Sequence, residues 1–149
     1  DITVSSSIFK VDTKPVVFFW NKNFFTGIAD IDFQHYKIVN YVNLLYQGFV
    51  EHKSHAEMLA TLNELAEFTI YHFGFEENLM QTYGYPKYSE QLNQHKKLLG
   101  QLGDFIKSLE NRSAVIDEKF IEFLNNWLRV HILNEDLQYA PFFRSKGLN

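Results

Sequence analysis

Four histidines lie among apolar residues that repeat at helical spacing, one in each of four segments of the chain. They are His35, His72, His95 and His131. A single histidine on an apolar helix face is most often a core residue with a hydrogen-bond partner. Four of them together raise a problem, because each buried polar group without a partner costs roughly 1–3 kcal/mol. A shared metal ion would satisfy all four imidazoles at once.

Carboxylates accompany two of these histidines. Glu76 follows His72 by four residues, so both side chains project from the same face of one helix. His131 is followed by Glu135 and Asp136. Helical periodicity favours Glu135 as the inward residue, because a residue five positions on lies ~140° around the helix. Imidazole and carboxylate without sulfur suit iron, manganese or zinc, and two carboxylates can bridge two metal ions in a helical bundle.

Four amphipathic helices are predicted to position these residues. The first spans about residues 30–49, the second follows a capping-box signature at Ser54 and Glu57, the third starts near Tyr88 and the fourth spans about 117–139. Short connections between long helices favour antiparallel neighbours. We therefore predict an all-α fold, an up-down-up-down antiparallel four-helix bundle with an irregular N-terminal arm.

Composition narrows the function classes. The chain has 149 residues, of which 46% are hydrophobic, enough for one domain with a core. A net charge of −4 without a basic cluster argues against nucleic acid as a partner. The sequence has no apolar run long enough to span a membrane and no signal-peptide pattern, so we expect no membrane partner and a cytoplasmic location. The chain contains no cysteine, which excludes thiolate metal sites.

Two further histidines, His52 and His55, lie off the apolar stripe at the start of the second helix. Exposed histidine is ordinary, so we expect both to be solvated and to take no part in metal binding.

The segments around the stripe histidines resemble those of bacterial hemerythrin domains. These segments are GIADIDFQH, which ends at His35, HFGFEENLM, which starts at His72, and WLRVHILNED, which starts at Trp127. The resemblance spans residues 18–143, and it implies a domain with these bounds. It leaves residues 1–17 as an N-terminal extension and residues 144–149 as a C-terminal tail.

The resemblance implies two non-haem iron ions, bridged by two carboxylates and by an oxo or hydroxo group. The ligands it implies are His35, His72, Glu76, His95, His131 and Asp136. One iron would take the histidines of the first two helices and the other those of the last two, with both carboxylates bridging. The preference for Asp136 over Glu135 is implied by the resemblance alone.

The third helix departs from the family pattern. Hemerythrins carry His-x-x-x-His there, whereas this chain has Gln91 four residues before His95. The amide oxygen of Gln91 could bind iron directly, or Gln91 could hydrogen-bond a water in the vacant position, or the second iron could bind weakly. A solvated Gln91 is the remaining alternative.

A small-ligand pocket is predicted beside the last two histidines. Leu98 lies about one turn after His95, and Trp127 lies one turn before His131, so both should face the cavity. Ordinary core packing is the alternative for both side chains.

The resemblance implies a domain that binds O2, or another small ligand such as NO or an azide-like anion. Because a missing imidazole opens a second exchangeable position, we expect fast oxidation and favour a sensor of O2, NO or redox state over a carrier. The start at Asp1 rather than Met favours a domain taken from a larger signalling protein with an output domain. The alternatives are O2 storage or transport and a di-iron enzyme that reduces O2, peroxide or NO; we expect no enzyme.

Overall fold

The computed structural model describes residues 14–149, apart from the side chains of residues 132–134. Residues 1–13, most of the predicted N-terminal extension, lie outside the described residues. Five α-helices make up the fold: α1 Ala29–Val50, α2 His55–Tyr83, α3 Tyr88–Glu110, α4 Glu118–Val130 and α5 Leu137–Ser145. A short 3-10 helix, Lys22–Phe24, precedes α1, and a π-helical segment, His131–Asp136, joins α4 to α5.

Helices α1 to α4 form the predicted four-helix bundle. Helix α1 packs against α2 and α4, and α2 packs against α3. The seam between α3 and α4 is packed less closely than these three. Among the described residues no helix combines the length and the apolar character that a bilayer crossing requires.

Local signals in the sequence fix where the helices begin and end. The Ser54 side chain accepts a hydrogen bond from the Glu57 N–H, and the Glu57 side chain accepts one from the Ser54 N–H, so the predicted capping box is confirmed. Helix α2 ends at Gly84, whose φ of 70° is left-handed and suits glycine. The Asp117 side chain caps the start of α4. Within these bounds, α1, α2 and α3 each turn their apolar stripe, with the histidine in it, towards the core.

Two apolar clusters enclose a polar layer in the bundle. The larger cluster includes Ile38, Leu45, Leu62, Leu65, Leu102, Leu109, Leu124 and Leu128. The smaller cluster includes Ile31, Met80, Tyr139 and Phe143. On α2, His72 and Glu76 lie between the residues of the two clusters, and on α1 His35 does the same. The histidine layer is thus closed at both ends by apolar packing.

The irregular arm before α1 is held against the bundle by hydrogen bonds to Asn43. The Asn43 side chain accepts hydrogen bonds from the Val17 and Phe18 N–H groups and donates one to the Phe18 carbonyl. Phe18 is buried, and the Arg129 guanidinium lies over its ring. The arm then places Trp20 edge-on to the His35 ring, at 6.4 Å between centroids. It therefore covers the side of the bundle that carries His35.

The last helix differs from the prediction of one continuous helix ending near Tyr139. The π-helical segment interrupts it, and helix then continues to Ser145 with Pro141 inside α5. Helical periodicity assumes a constant turn, and a local i→i+5 turn breaks that assumption without a sequence signal as clear as proline or glycine.

Candidate metal centre

The six residues implied as ligands are all buried and converge in one layer of the bundle. At most 2% of each is exposed: His35, His72, Glu76, His95, His131 and Asp136. They come from α1, α2, α3 and the π-helical segment. All except His95 contribute one ligand-type atom to a group in which every atom lies within 4.8 Å of the others.

Glu76 joins histidines from α2, α3 and the π-helical segment. Its Oε1 atom lies 3.1 Å from Nε2 of His72, 3.4 Å from Nε2 of His95 and 3.6 Å from Nε2 of His131. Glu76 therefore brings His95 into the cluster and contacts histidines of both predicted iron positions.

Asp136 contacts three of the four histidines in the same way. Its Oδ2 atom lies 2.5 Å from Nε2 of His35, 3.0 Å from Nε2 of His131 and 3.7 Å from Nε2 of His72. Like Glu76, it contacts a histidine from each predicted pair, which is the arrangement that a bridging carboxylate requires.

The π-helical segment explains why Asp136 rather than Glu135 reaches the cluster. With i→i+5 hydrogen bonding, the wider turn returns the fifth residue after His131 to the same face. Asp136 is fully buried, whereas Glu135 is half-buried and accepts hydrogen bonds from two glutamines of α3. Periodicity alone points to Glu135, so the regular helical turn gives the wrong inward residue here.

Three polar residues that the sequence analysis missed support the ligand residues. Gln34 accepts a hydrogen bond of 2.7 Å from His72 Nδ1, and Glu77 accepts one of 2.7 Å from His95 Nδ1. The Tyr139 hydroxyl donates to Glu76 Oε2. Such contacts fix the imidazole tautomer and turn Nε2 towards the centre. Gln34 and Glu77 adjoin ligand residues in sequence, but each serves a histidine on another helix, so no spacing rule finds them.

Aromatic rings wall the cluster. Phe73 stacks on His95, with 3.8 Å between centroids and 3° between planes. Trp127 lies nearly parallel to His131 at 6.2 Å, and Trp20 approaches His35 from the arm. These rings keep the cluster out of water, which strengthens the electrostatic interactions inside it.

Burial and the close ion pairs shift the titration of the cluster. Burial and Glu76 both act to raise the pKa of Asp136, but His131 and His35 lower it to about 2. Burial acts to lower the pKa of His131, but Asp136 raises it to about 10. At His35 the effect of burial is larger than that of Asp136, so the pKa of His35 is lowered. Both carboxylates therefore stay ionised at neutral pH and are available as anionic ligands.

The unpaired atoms of the cluster show that a metal fits here. Within the described part of the chain, these buried atoms have no hydrogen-bond partner: Nε2 of His72, His95 and His131, Oε1 of Glu76 and Oδ1 of Asp136. Protein ligand atoms lie about 2.0–2.2 Å from a transition metal such as zinc, so adjacent ligand atoms stand roughly 3 Å apart. The separations around Glu76 and Asp136 are of this size. A cation between these atoms would satisfy all of them.

Sequence comparison decides the family. Residues 26–143 match the hemerythrin HHE cation binding domain. The chain belongs to the hemerythrin family. Hemerythrins bind O2 at a di-iron site, and the His/Glu/Asp cluster described above could hold that metal.

Individual hemerythrins are similar to this chain in sequence and structure over most of their length. Bacteriohemerythrin of Pseudomonas paraeruginosa (strain DSM 24068 / PA7) is 33% identical over 125 residues, covering 84% of this chain and 80% of that protein. Myohemerythrin of Sipunculus nudus is 27% identical over 125 residues, covering 84% and 92%. A crystal structure of wild-type hemerythrin matches with a TM-score of 0.80 and 28% identity, covering 85% of this chain and 97% of that one.

Gln91, which stands where the hemerythrin pattern has a fifth histidine, is buried. It is 2% exposed, which rules out the solvated alternative. Its amide nitrogen lies 3.3 Å from Oε2 of Glu135 and 3.4 Å from the Glu135 carbonyl oxygen, and donates to both. Its amide oxygen is buried and has no hydrogen-bond partner among the residues that the structure describes. Gln91 thus has one neutral oxygen free in the interior.

Leu98 and Trp127 line one pocket of about 300 Å³ together with His131. Both side chains are half-buried. The structure therefore places them beside the cluster as expected, and their role in ligand binding stays a prediction.

Neither histidine at the start of α2 joins the cluster. His52 is exposed, with a left-handed φ of 57°. His55 is half-buried, and its Nε2 donates a hydrogen bond of 2.9 Å to the Leu109 carbonyl. The expectation of a solvated side chain is therefore wrong for His55, because the end of α3 packs over the start of α2.

Proposed function

We propose that this hemerythrin domain is a sensor that responds to O2, NO or redox state through its di-iron centre. The residues that would hold the centre are His35, His72, Glu76, His95, His131 and Asp136. Iron bound there supplies a redox-active site for small ligands. The sensory role, and a parent protein with an output domain, are the parts of the proposal that go beyond the family.

Some residues of the chain would bind the metal, and others hold those residues in orientation. The four histidines offer Nε2 to the centre, and the two carboxylates contact histidines of both pairs. Gln34 and Glu77 hold two of the imidazoles in orientation, while Tyr139 fixes Glu76. The surrounding aromatic rings exclude water.

The observation that carries the sensory proposal is the burial of Gln91 with an unpaired amide oxygen. A neutral amide oxygen is a poorer ligand for iron than imidazole, which suits that metal. The position is therefore easier to exchange, and water or O2 reaches the centre more readily. Fast oxidation favours a domain that registers O2 or redox state over one that stores O2.

Replacement of Gln91 by histidine tests this assignment. The reduced Gln91→His protein should oxidise more slowly than wild type after mixing with O2, because imidazole closes the exchangeable position. Stopped-flow absorbance gives the oxidation rate. Gln101→His is the matched control, since Gln101 is an exposed residue on the same helix. Equal rates in Gln91→His and wild type would remove the main support for a sensor.

Hydrogen exchange tests the sensory role separately from ligand binding. A sensor has to shift its conformational equilibrium with the state of its site, whereas a store does not. We expect amide exchange to differ between the reduced and oxidised forms in segments away from the cluster, including the arm that Asn43 fastens. Identical exchange patterns would contradict the sensory role and leave O2 binding intact.

O2 storage or transport is the second candidate. It is favoured by the similarity to bacteriohemerythrin and myohemerythrin over four fifths of this chain. Reversible O2 binding without a structural response would support it.

A further inference from the structure

The seam between α3 and α4 contains an apolar pocket that leads to the cluster. The pocket measures about 300 Å³, and its lining residues are Gln94, Leu98, Phe123, Asn126, Trp127, Val130, His131 and Glu135. Phe123 and Val130 at its rim are 43% and 53% exposed, whereas His131 is 2% exposed. The pocket thus runs from solvent to one particular histidine of the centre.

The pocket lies on the His95–His131 side of the centre, where Gln91 replaces the fifth histidine of the family pattern. His131 belongs with His95 in the predicted ligand pairs, and Gln91 stands one turn before His95 on α3. The amide nitrogen of Gln91 is hydrogen-bonded to Glu135, which itself lines the pocket. A ligand in the pocket therefore stands next to the group that holds Gln91 in place.

Of the described residues that line the pocket, Glu135 alone carries a carboxylate. Its two carboxylate oxygens accept hydrogen bonds from Gln91 and Gln94, at 3.3 and 3.1 Å. These donors are neutral amides, so the negative charge is held in place and not cancelled. The walls around it are Leu98, Phe123, Trp127 and Val130. The pocket opens to solvent at Phe123 and Val130, so water weakens the repulsion between Glu135 and an anion but does not remove it beside the buried His131.

We propose that Glu135 gives this pocket a charge preference: it disfavours anions beside His131 and leaves the entry of neutral diatomic ligands unaffected. The inference rests on the proposed function, since it assigns a route and a charge preference to the same site. It also separates two of the ligand classes expected from the sequence, because NO and O2 are neutral and azide is not.

Xenon tests the route without iron, because it is neutral, apolar and detectable in metal-free protein. Crystals of the metal-free protein under xenon should show the atom beside Trp127. Leu98→Trp should fill the pocket and remove xenon, and Val130→Trp, an exposed rim position, is a second variant if Leu98→Trp does not fold. An empty pocket in the wild type would overturn the proposal.

Azide and NO test the charge preference in the iron-loaded protein. Glu135→Gln keeps the shape and an acceptor for Gln91, and should raise azide affinity by about tenfold, the effect of removing one nearby charge at modest dielectric. Its NO affinity should stay within about twofold of wild type. Glu122→Gln, an exposed glutamate on α4, should change neither. Equal azide affinity in Glu135→Gln and wild type would overturn the role of Glu135.

The two proposals fail in different ways. A wild-type protein that holds no iron or binds no O2 contradicts the proposed function. Iron and O2 binding together with an empty xenon pocket, or with azide affinity independent of Glu135, contradicts only the inference on the route.

Discussion

The two histidine pairs sit in different surroundings, although each helix stripe offers one histidine in the same way. His35 and His72 come from α1 and α2, which pack closely, and the arm lays Trp20 against His35. His95 and His131 face the loosely packed α3–α4 seam, with a pocket that reaches His131. All four histidines are buried, but only the second pair has a member, His131, that lines a pocket. This asymmetry is set by helix packing and not by the ligands.

The hydrogen bonds that orient His72 and His95 also differ between the two pairs. His72 donates to a neutral amide, Gln34, whereas His95 donates to a carboxylate, Glu77. A carboxylate makes its imidazole partner a stronger donor to a metal than an amide does. The side with the pocket, which has Gln91 in place of a histidine, therefore carries the more electron-rich of these two imidazoles.

The largest effect is expected from Glu76→Ala, since Glu76 contacts histidines of both pairs. The variant should lose the paired centre, so the distinction between the two sides should disappear. Iron content per chain and the absorption spectrum measure this. Glu67→Ala, an exposed glutamate on the same helix, should behave as wild type. A Glu76→Ala protein with the wild-type spectrum would show that the carboxylate does not link the two sides.

A smaller effect is expected from the supporting residues. Gln34→Leu removes the acceptor of His72 Nδ1 and should weaken iron binding by about 10–100-fold, a typical effect of losing such a contact. Glu77→Gln keeps a hydrogen bond to His95 and should weaken it less. Competition with a chelator gives both affinities. If Glu77→Gln weakens iron binding as much as Gln34→Leu, the charge of Glu77 matters more than its hydrogen bond.

The smallest effect is expected at the far end of the bundle. His55→Ala should leave iron content unchanged and lower the free energy of unfolding by about 1 kcal/mol, because the hydrogen bond to the Leu109 carbonyl is lost. His52→Ala should change neither quantity. Urea denaturation and metal analysis measure the two effects. Loss of iron in His55→Ala would mean that the site extends beyond the two histidine pairs.

Sequence patterns were sufficient for the parts of the molecule that depend on local structure. The capping box at Ser54, the start of α3 at Tyr88 and the inward direction of the four histidines follow from helix periodicity and end signals. Each of these depends on residues within one or two turns of the chain. That is why the bundle could be predicted without a structure.

Other features depend on contacts between helices, and the sequence did not reveal them. Gln34 accepts a hydrogen bond from a histidine on α2, and Glu77 accepts one from a histidine on α3. Tyr139, on α5, donates a hydrogen bond to Glu76. The half-burial of His55 likewise depends on the end of α3. No spacing within a single helix carries information about these pairs.

The π-helical segment also changes the helix phase, with consequences beyond the metal layer. In α4 the buried positions include Ile121, Leu124 and Leu128. A regular helix would continue this series through Glu135 and Gln138, yet Asp136, Tyr139 and Phe143 are buried instead. The segment therefore acts as one extra residue in the helical count. Deleting one residue between His131 and Asp136 would remove this extra residue. A regular helix would then place Asp136, Tyr139 and Phe143 four, seven and eleven positions after His131, which is the same inward face, so α5 should keep its packing without the π-helical turn.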